Sequence, residues 1–194
     1  MNLELIKEAI KKVVHFKPQE FDLFAQQVKL VQLAKNETWE ARGRVAHHMA
    51  FVNQGILREY RVKDEEEFIQ QFYVEGDFMG NYLSYQSNTP SETATVAIEP
   101  CEILQLPFKT LESLYTQVPA IQQFSEHIGQ FKLQQIHQRA SALLTQTPKE
   151  RYLQLLQNQP ELLQRVPQYL IAQYLGITPI SLSRIRKRIF LNNG

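Results

Sequence analysis

The chain has one cysteine, Cys101, among its 194 residues. A lone thiol can form no internal disulfide and cannot supply the four thiolates of an iron–sulfur cluster, so a reducing compartment is expected. No stretch approaches the roughly 18 consecutive apolar residues of a membrane helix, and no charged-then-apolar leader opens the chain. No membrane partner is expected, and the expected location is the cytoplasm. Glycine is scarce at seven residues. There is no Gly-rich phosphate loop and no Gly-x-Ser-x-Gly nucleophile motif. His47 and His48 are adjacent, so on a strand they point to opposite faces and cannot ligate one ion. No catalytic residue, metal or cofactor is therefore expected, and the chain does not read as an enzyme.

What is present is unevenly spread. Residues 141–194 carry seven Lys or Arg against two Glu, a net charge of +5, whereas residues 1–140 carry 14 basic and 18 acidic side chains, a net of −4. The near-neutral total hides a basic tail on an acidic body, the asymmetry that phosphate binding favours.

Hydrophobic periodicity divides the chain into three regions. Leu3–Val14 has helical spacing, and Phe21–Val28 allows a further short helix. Val45–Val52 alternates in the period of a strand, Asn53-Gln54-Gly55 signals a turn, and Ile56–Val62 and Phe68–Val74 read as strands around a solvated Lys63–Glu67 hairpin tip. Two more strands are expected at Thr93–Ile98 and Glu102–Leu106. Many short strands with Gly or Pro punctuation imply an antiparallel sandwich or barrel. From Phe108 the period is helical again, and Ile121–Leu144 forms one long helix whose apolar seam needs a cover. A two-fold partner chain would supply it, as would the chain's own β-domain. Thr147-Pro148 caps and starts a further helix.

Val166–Ile189 reads as two short helices around a tight turn. Ile171, Ala172 and Leu175 form the apolar stripe of the first, and Gly176 follows at a position that needs a positive φ. Thr178 can cap the second helix, and Pro179 opens it. Leu182, Ile185 and Ile189 mark its buried face, leaving Ser181, Ser183, Arg184, Lys187 and Arg188 off that stripe. This is the plan of a helix-turn-helix, although helix pairs with Gly turns also occur in domains that never meet nucleic acid.

A β-barrel, a long helix, a Thr-Pro hinge and a C-terminal helix-turn-helix together resemble the Crp/Fnr family of transcription regulators. The local marks are Asn53-Gln54-Gly55-Ile56, Glu75-Gly76-Asp77-Phe78-Met79-Gly80, Ala94–Val96 followed by Cys101-Glu102, and Leu175-Gly176-Ile177-Thr178. The resemblance covers nearly the whole chain and implies an α+β fold: an antiparallel β-roll (jelly-roll) sensor over residues 1–118, a dimerisation helix over 119–146 and a helix-turn-helix domain over 147–194. The sequence ends about five residues past Ile189, so this last domain is expected to lack a full wing. The implied partners are double-stranded DNA, a second copy of the chain through the long helix, RNA polymerase and a small-molecule effector.

The resemblance also places the family's cyclic-nucleotide cassette on Gly80–Thr93, with Gly80, Asn81, Tyr82, Leu83, Glu92 and Thr93 as its candidate ligand residues and His137 as a candidate base contact from the long helix. Asn81 stands where a carboxylate is expected, and Glu92 stands where an arginine should meet the phosphate. That reversal removes a charge-assisted pair worth about 1.5–3 kcal/mol. A usual response to cAMP is therefore not expected; the pocket is either empty or holds another ligand. His137 equally suits a solvated or dimer-seam histidine. At the DNA end, Thr178, Ser181 and Lys187 match phosphate contacts and Arg184 matches a guanine reader. Pro179 and Ile180 occupy base-reading positions without a bidentate donor. The rival reading is a small-ligand or protein-interaction module with a degenerate helix-turn-helix.

Overall fold

The structure is a computed structural model and describes residues 2–192. In chain order the elements are α1 (Glu4–Lys11), α2 (Pro18–Gln27), β1 (Lys29–Leu33), β2 (Thr38–Glu40), β3 (His48–Gln54), β4 (Leu57–Lys63), β5 (Glu66–Tyr73), β6 (Phe78–Met79), α3 (Tyr82–Ser87), β7 (Thr93–Ala97), β8 (Cys101–Pro107), α4 (Phe108–Leu114), α5 (Pro119–Thr145), α6 (Pro148–Asn158), α7 (Pro160–Arg165), α8 (Gln168–Tyr174) and α9 (Pro179–Asn192). They gather into two compact units. The first holds residues 1–61 and 71–132, and the second holds 62–70 and 133–194.

The first unit is an α+β roll of two four-stranded sheets, ordered β1-β8-β3-β6 and β2-β7-β4-β5. Strand β8 pairs antiparallel with β1 and with β3, and β7 pairs antiparallel with β2 and with β4. The strand read from Val45 to Val52 runs from His48 to Gln54, and Met49, Ala50, Phe51 and Val52 on its two faces are all buried. The reason is that the sheet holding β3 is covered on both sides. Met49, Phe51, Leu104 and Leu106 join Ile6, Ile10, Phe24, Phe108, Leu111, Ile121 and Phe124 from the helices in one core. Ala50, Val52 and Ile103 point the other way, into the roll, with Leu33, Leu57, Tyr73, Ala97 and Cys101.

The hairpin tip differs from the five-residue loop that KDEEE suggested. Strands β4 and β5 run to Lys63 and from Glu66, leaving only Asp64 and Glu65 between them. Both have positive φ, 51° and 65°, the twist that a two-residue hairpin turn requires. Five elements that periodicity alone did not isolate are short: β1, β2, β6, α3 and α7.

The second unit is helical apart from that hairpin tip. Thr147 and Glu150 form a capping box at the start of α6, with the Thr147 N–H donating to Glu150 Oε2 at 2.7 Å and the Glu150 N–H to Thr147 Oγ1 at 3.3 Å. Among the described residues its buried side chains are Ile69, Tyr152, Leu155, Leu162, Val166, Leu170, Ile171, Ala172, Leu175 and Leu182. None of the described helices is long and apolar enough to cross a membrane.

Phe124 ties the start of α5 to the first sheet, with its ring edge-on to Phe78 at 5.0 Å between centroids, and it is 1% exposed. Phe124→Ala should cost about 3–5 kcal/mol of stability, measured as the shift in urea unfolding; a loss below about 1 kcal/mol would mean the core collapses around the gap.

Candidate nucleic-acid interface and effector cassette

The helix-turn-helix is built on α8 and α9. Helix α8 closes with a Schellman motif in which the Ile177 N–H reaches Ala172 O and the Gly176 N–H reaches Gln173 O, both at 3.0 Å. Gly176 takes φ +67° there. Thr178 caps α9, its Oγ1 accepting from the Ser181 N–H at 3.2 Å and lying 3.0 Å from Ser181 Oγ. Pro179 is the first helical residue, where its missing N–H costs nothing.

Leu182 is buried at 1% exposure, so it turns the opposite face of α9 outward. Ile180, Ser183, Arg184, Lys187 and Arg188 are exposed, at spacings that keep them within one side of the helix. Thr178 and Pro179 are exposed at its N-terminal end, and Ser181 is half-buried beside its cap. The face thus offers one arginine fork near the N-terminus, one apolar tip and two further cations. Ser183 joins it although only its position off the apolar stripe had marked it.

The cassette, in the first unit, makes most of its polar contacts within itself. Gly80 has φ +139°, and a Cβ there would lie 2.7 Å from His48 O and 3.0 Å from Phe108 Cζ, so close packing against β3 requires glycine. Asn81 caps α3: its Oδ1 accepts from the Ser84 N–H and its Nδ2 donates to Ser91 Oγ, both at 3.1 Å. Ser84 and Ser91 are buried. Ser84 Oγ donates to Thr89 O and accepts from the Ala46 N–H, while Ser91 Oγ donates to Thr93 O at 2.9 Å and accepts from the Thr93 N–H at 3.2 Å. Tyr82 and Tyr85 donate to the two oxygens of Glu112 at 3.0 and 2.9 Å, and both rings pack on Phe108. Desolvation, with the Glu112 bond behind it, pushes the Tyr82 phenol up to about 12. Leu83 is 75% exposed.

Glu92 is exposed and forms an ion pair with Arg61 on β4, the strand whose Arg61 is the register partner of Thr93. The cation absent from Gly80–Thr93 is thus supplied from 31 residues away, but it is held by the carboxylate beside it. His137 lies in the second unit and is exposed on α5.

Inside the roll lies a polar cluster that no sequence motif announced. Glu40 and Glu59 are both register partners of Thr95, on its two sides. The register slips between Thr38 and Glu40, so Trp39 and Glu40 both become partly buried. Tyr73 donates to Glu59 Oε2 at 2.7 Å, and Lys132 of α5 lies over the Tyr73 ring at 4.2 Å. Burial pushes the Lys132 amine down against the pull of Asp77 and Glu59. Cys101 is a buried thiol donating to Glu99 O and Ile56 O, and burial pushes it up to about 11.

Burial, with the Glu59 charge adding to it, pushes the Glu40 carboxyl up to about 7. Between the ordinary carboxylate range and that value the folded chain binds more protons than the unfolded one, so stability should fall as pH rises through this window and level off above it. Glu40→Gln should lack the fall: its thermal midpoint should exceed the parent's at pH 8, with the gap narrowing toward pH 5. A gap equal at both ends would remove Glu40 as the source.

Residues 30–118 match the family model described as the cyclic nucleotide-binding domain. No curated protein sequence matches the chain. Among solved structures it is similar to FixK2 from Bradyrhizobium japonicum, at 18% identity over 86% of each chain with a TM-score of 0.73. It is also similar to the c-di-GMP responsive global regulator CLP of Xanthomonas campestris, at 18% identity over 91% of this chain and 93% of that one with a TM-score of 0.71. A third similar structure, from Eubacterium rectale, is described as a transcriptional regulator of the Crp/Fnr family; identity is 13% over 91% of this chain and 85% of that one, with a TM-score of 0.68. The chain therefore has the fold of these Crp/Fnr structures, and residues 30–118 are similar to the cyclic nucleotide-binding domain.

Proposed function

We propose that this chain, with its likeness to Crp/Fnr structures and to the cyclic nucleotide-binding domain, is a DNA-binding transcription regulator that reads a two-fold palindrome as a homodimer. The observation that carries the reading is the capped, outward face of α9, where Arg184 and Lys187 share one side with Ile180. In this reading residues 1–118 sense, 119–146 dimerise and 147–194 read DNA. Arg184 meets guanine O6 and N7, and Ile180 meets a thymine methyl. Thr178, Ser181 and Lys187 bond to the phosphate backbone, and Pro179 occupies a base-facing position without a bidentate donor. The chain acts in the cytoplasm without catalysis, with RNA polymerase as a downstream partner.

Dimerisation is supported by α5. Leu133, Ile136 and Leu143 are 68%, 65% and 44% exposed, and with exposed Ala140 they recur at intervals of three, four and three, the seam spacing of a coiled coil. Such a stripe has most to gain from a second copy.

The cassette supports a regulator that does not answer to cAMP in the usual way. Asn81, Ser84, Ser91 and Thr93 bond to one another and to neighbouring backbone, and Glu92 puts a carboxylate where a phosphate would need a cation. In this reading the cassette either stays empty or takes a small molecule other than cAMP.

The test is selection of the purified protein against a random duplex library without ligand, which should enrich a two-fold palindrome. On the enriched duplex, Arg184→Ala should lose about 1–3 kcal/mol of discrimination at one base position per half-site. Equal binding to all sequences, fading only with salt, would sink the reading. Leu133→Asp with Ile136→Asp should halve the mass in analytical ultracentrifugation; an unchanged dimer would place the interface elsewhere.

A further inference from the structure

The end of α8 leaves two carbonyls that its own capping motif cannot satisfy. The Schellman bonds use the carbonyls of Ala172 and Gln173, so Tyr174 O and Leu175 O must find donors outside the helix. Both find an arginine. Arg151 of α6 donates from Nε and Nη2 to Leu175 O at 3.1 and 2.9 Å, and from Nη1 to Gln146 O at the end of the long helix. Arg139 of α5 donates from Nη2 to Tyr174 O at 2.8 Å, and its guanidinium lies 3.8 Å from the centre of the Tyr174 ring.

The same Nη2 donates at 2.9 Å to Ile69 O on β5, in the hairpin tip that belongs to this second unit. One side chain therefore joins three elements that are remote in sequence: the long helix, the hairpin and the first helix of the helix-turn-helix. Ile69 is itself buried at 3% exposure, so its carbonyl sits in a packed contact and not at a fraying edge. The cations also stand at the negative end of the α8 dipole, where they are favoured.

We propose that Arg139 is a positioning residue for DNA reading, holding the helix-turn-helix in a fixed setting against the long helix and the hairpin tip. The inference rests on the DNA-reading function proposed above. It assigns Arg139 no contact with DNA. A shift of β5 along its own direction breaks the bond to Ile69 O, and the setting of α8, with α9 behind it, is then released. In a two-fold dimer that setting determines the distance between the two recognition helices, so Arg139 acts on the spacing of half-sites that the protein accepts. Lysine is a poor replacement, because a tetrahedral ammonium lacks the planar face that lies on the Tyr174 ring while Nη2 donates to two carbonyls.

The experiment uses the full chain with Arg139→Lys and Arg139→Gln, the first keeping the charge in case the second fails to fold. Hydrogen exchange without DNA tests the tie itself: amides of residues 66–70 and 171–177 should exchange faster together, by about tenfold, while those of 119–130 stay at the parent rate. Faster exchange in 171–177 alone would overturn the proposal, because the hairpin would then be an independent neighbour. Binding to the selected palindrome and to versions with one base pair added or removed between half-sites tests positioning. Both variants should lose about tenfold in the preference for the native spacing, with an unchanged slope of affinity against salt. A retained preference alongside raised exchange would leave Arg139 a stability residue and overturn its positioning role. If no palindrome is selected from the library, the function proposed above fails, and the exchange measurement still decides whether the tie exists.

Discussion

Strands β3 and β8 are buried on both faces, and the architecture of the first unit follows from covering them. One face needs a second sheet, which closes the roll around Ala50, Val52 and Ile103. The other needs helices, and α1, α2, α4 and the start of α5 bring Ile6, Phe24, Leu111 and Phe124 to it. Burial on this scale, at roughly 25 cal/mol for each square ångström, is the largest stabilising term available to such a domain. It also determines where α5 begins. Ile121 and Phe124 hold that start in the core, whereas Leu133 and Ile136 further along the helix are exposed.

The Gly80–Thr93 loop is held largely by bonds among its own residues and to neighbouring backbone. Gly80 is required by His48 O and Phe108 whatever the loop binds. Around it, side chains that could meet a ligand find partners in the protein instead: Asn81 caps α3 and donates to the Ser91 hydroxyl, Ser84 accepts from the Ala46 N–H, and Glu92 takes Arg61. The exposed ion pair contributes little stability. Its consequence is electrostatic, since a carboxylate with its own cation beside it leaves no net positive charge for a phosphate. Deeper in the roll, Glu40 and Glu59 flank Thr95, with Tyr73 and Lys132 as the groups that temper their charge.

Polar bonds fasten the second unit at the end of α8, a seven-residue helix whose last carbonyls have no partner within it. Arg139 and Arg151 answer that shortage by reaching from α5 and α6 to the end of α8. Bonds of this kind are directional, so they set orientation more tightly than apolar contact alone.

Local rules written in the sequence determined much of this protein. Gly176, Thr178 and Pro179 specify the turn and the start of α9 because positive φ, a capping hydroxyl and a missing N–H act within a few residues. Thr147 with Glu150, the helical period of α5 and the strand period before Gly55 are legible for the same reason. What only the tertiary structure decided involves partners far apart in the chain. Strands β1, β2 and β6 are too short to show a period and exist through their neighbours. The two-sided burial of β3, the Arg61–Glu92 pair, the row through Glu40, Thr95 and Glu59, and the reach of Arg139 to Ile69 and Tyr174 all join residues 19 or more positions apart. Sequence spacing carries no record of such contacts, because they form only once sheet pairing and helix packing have brought the partners together.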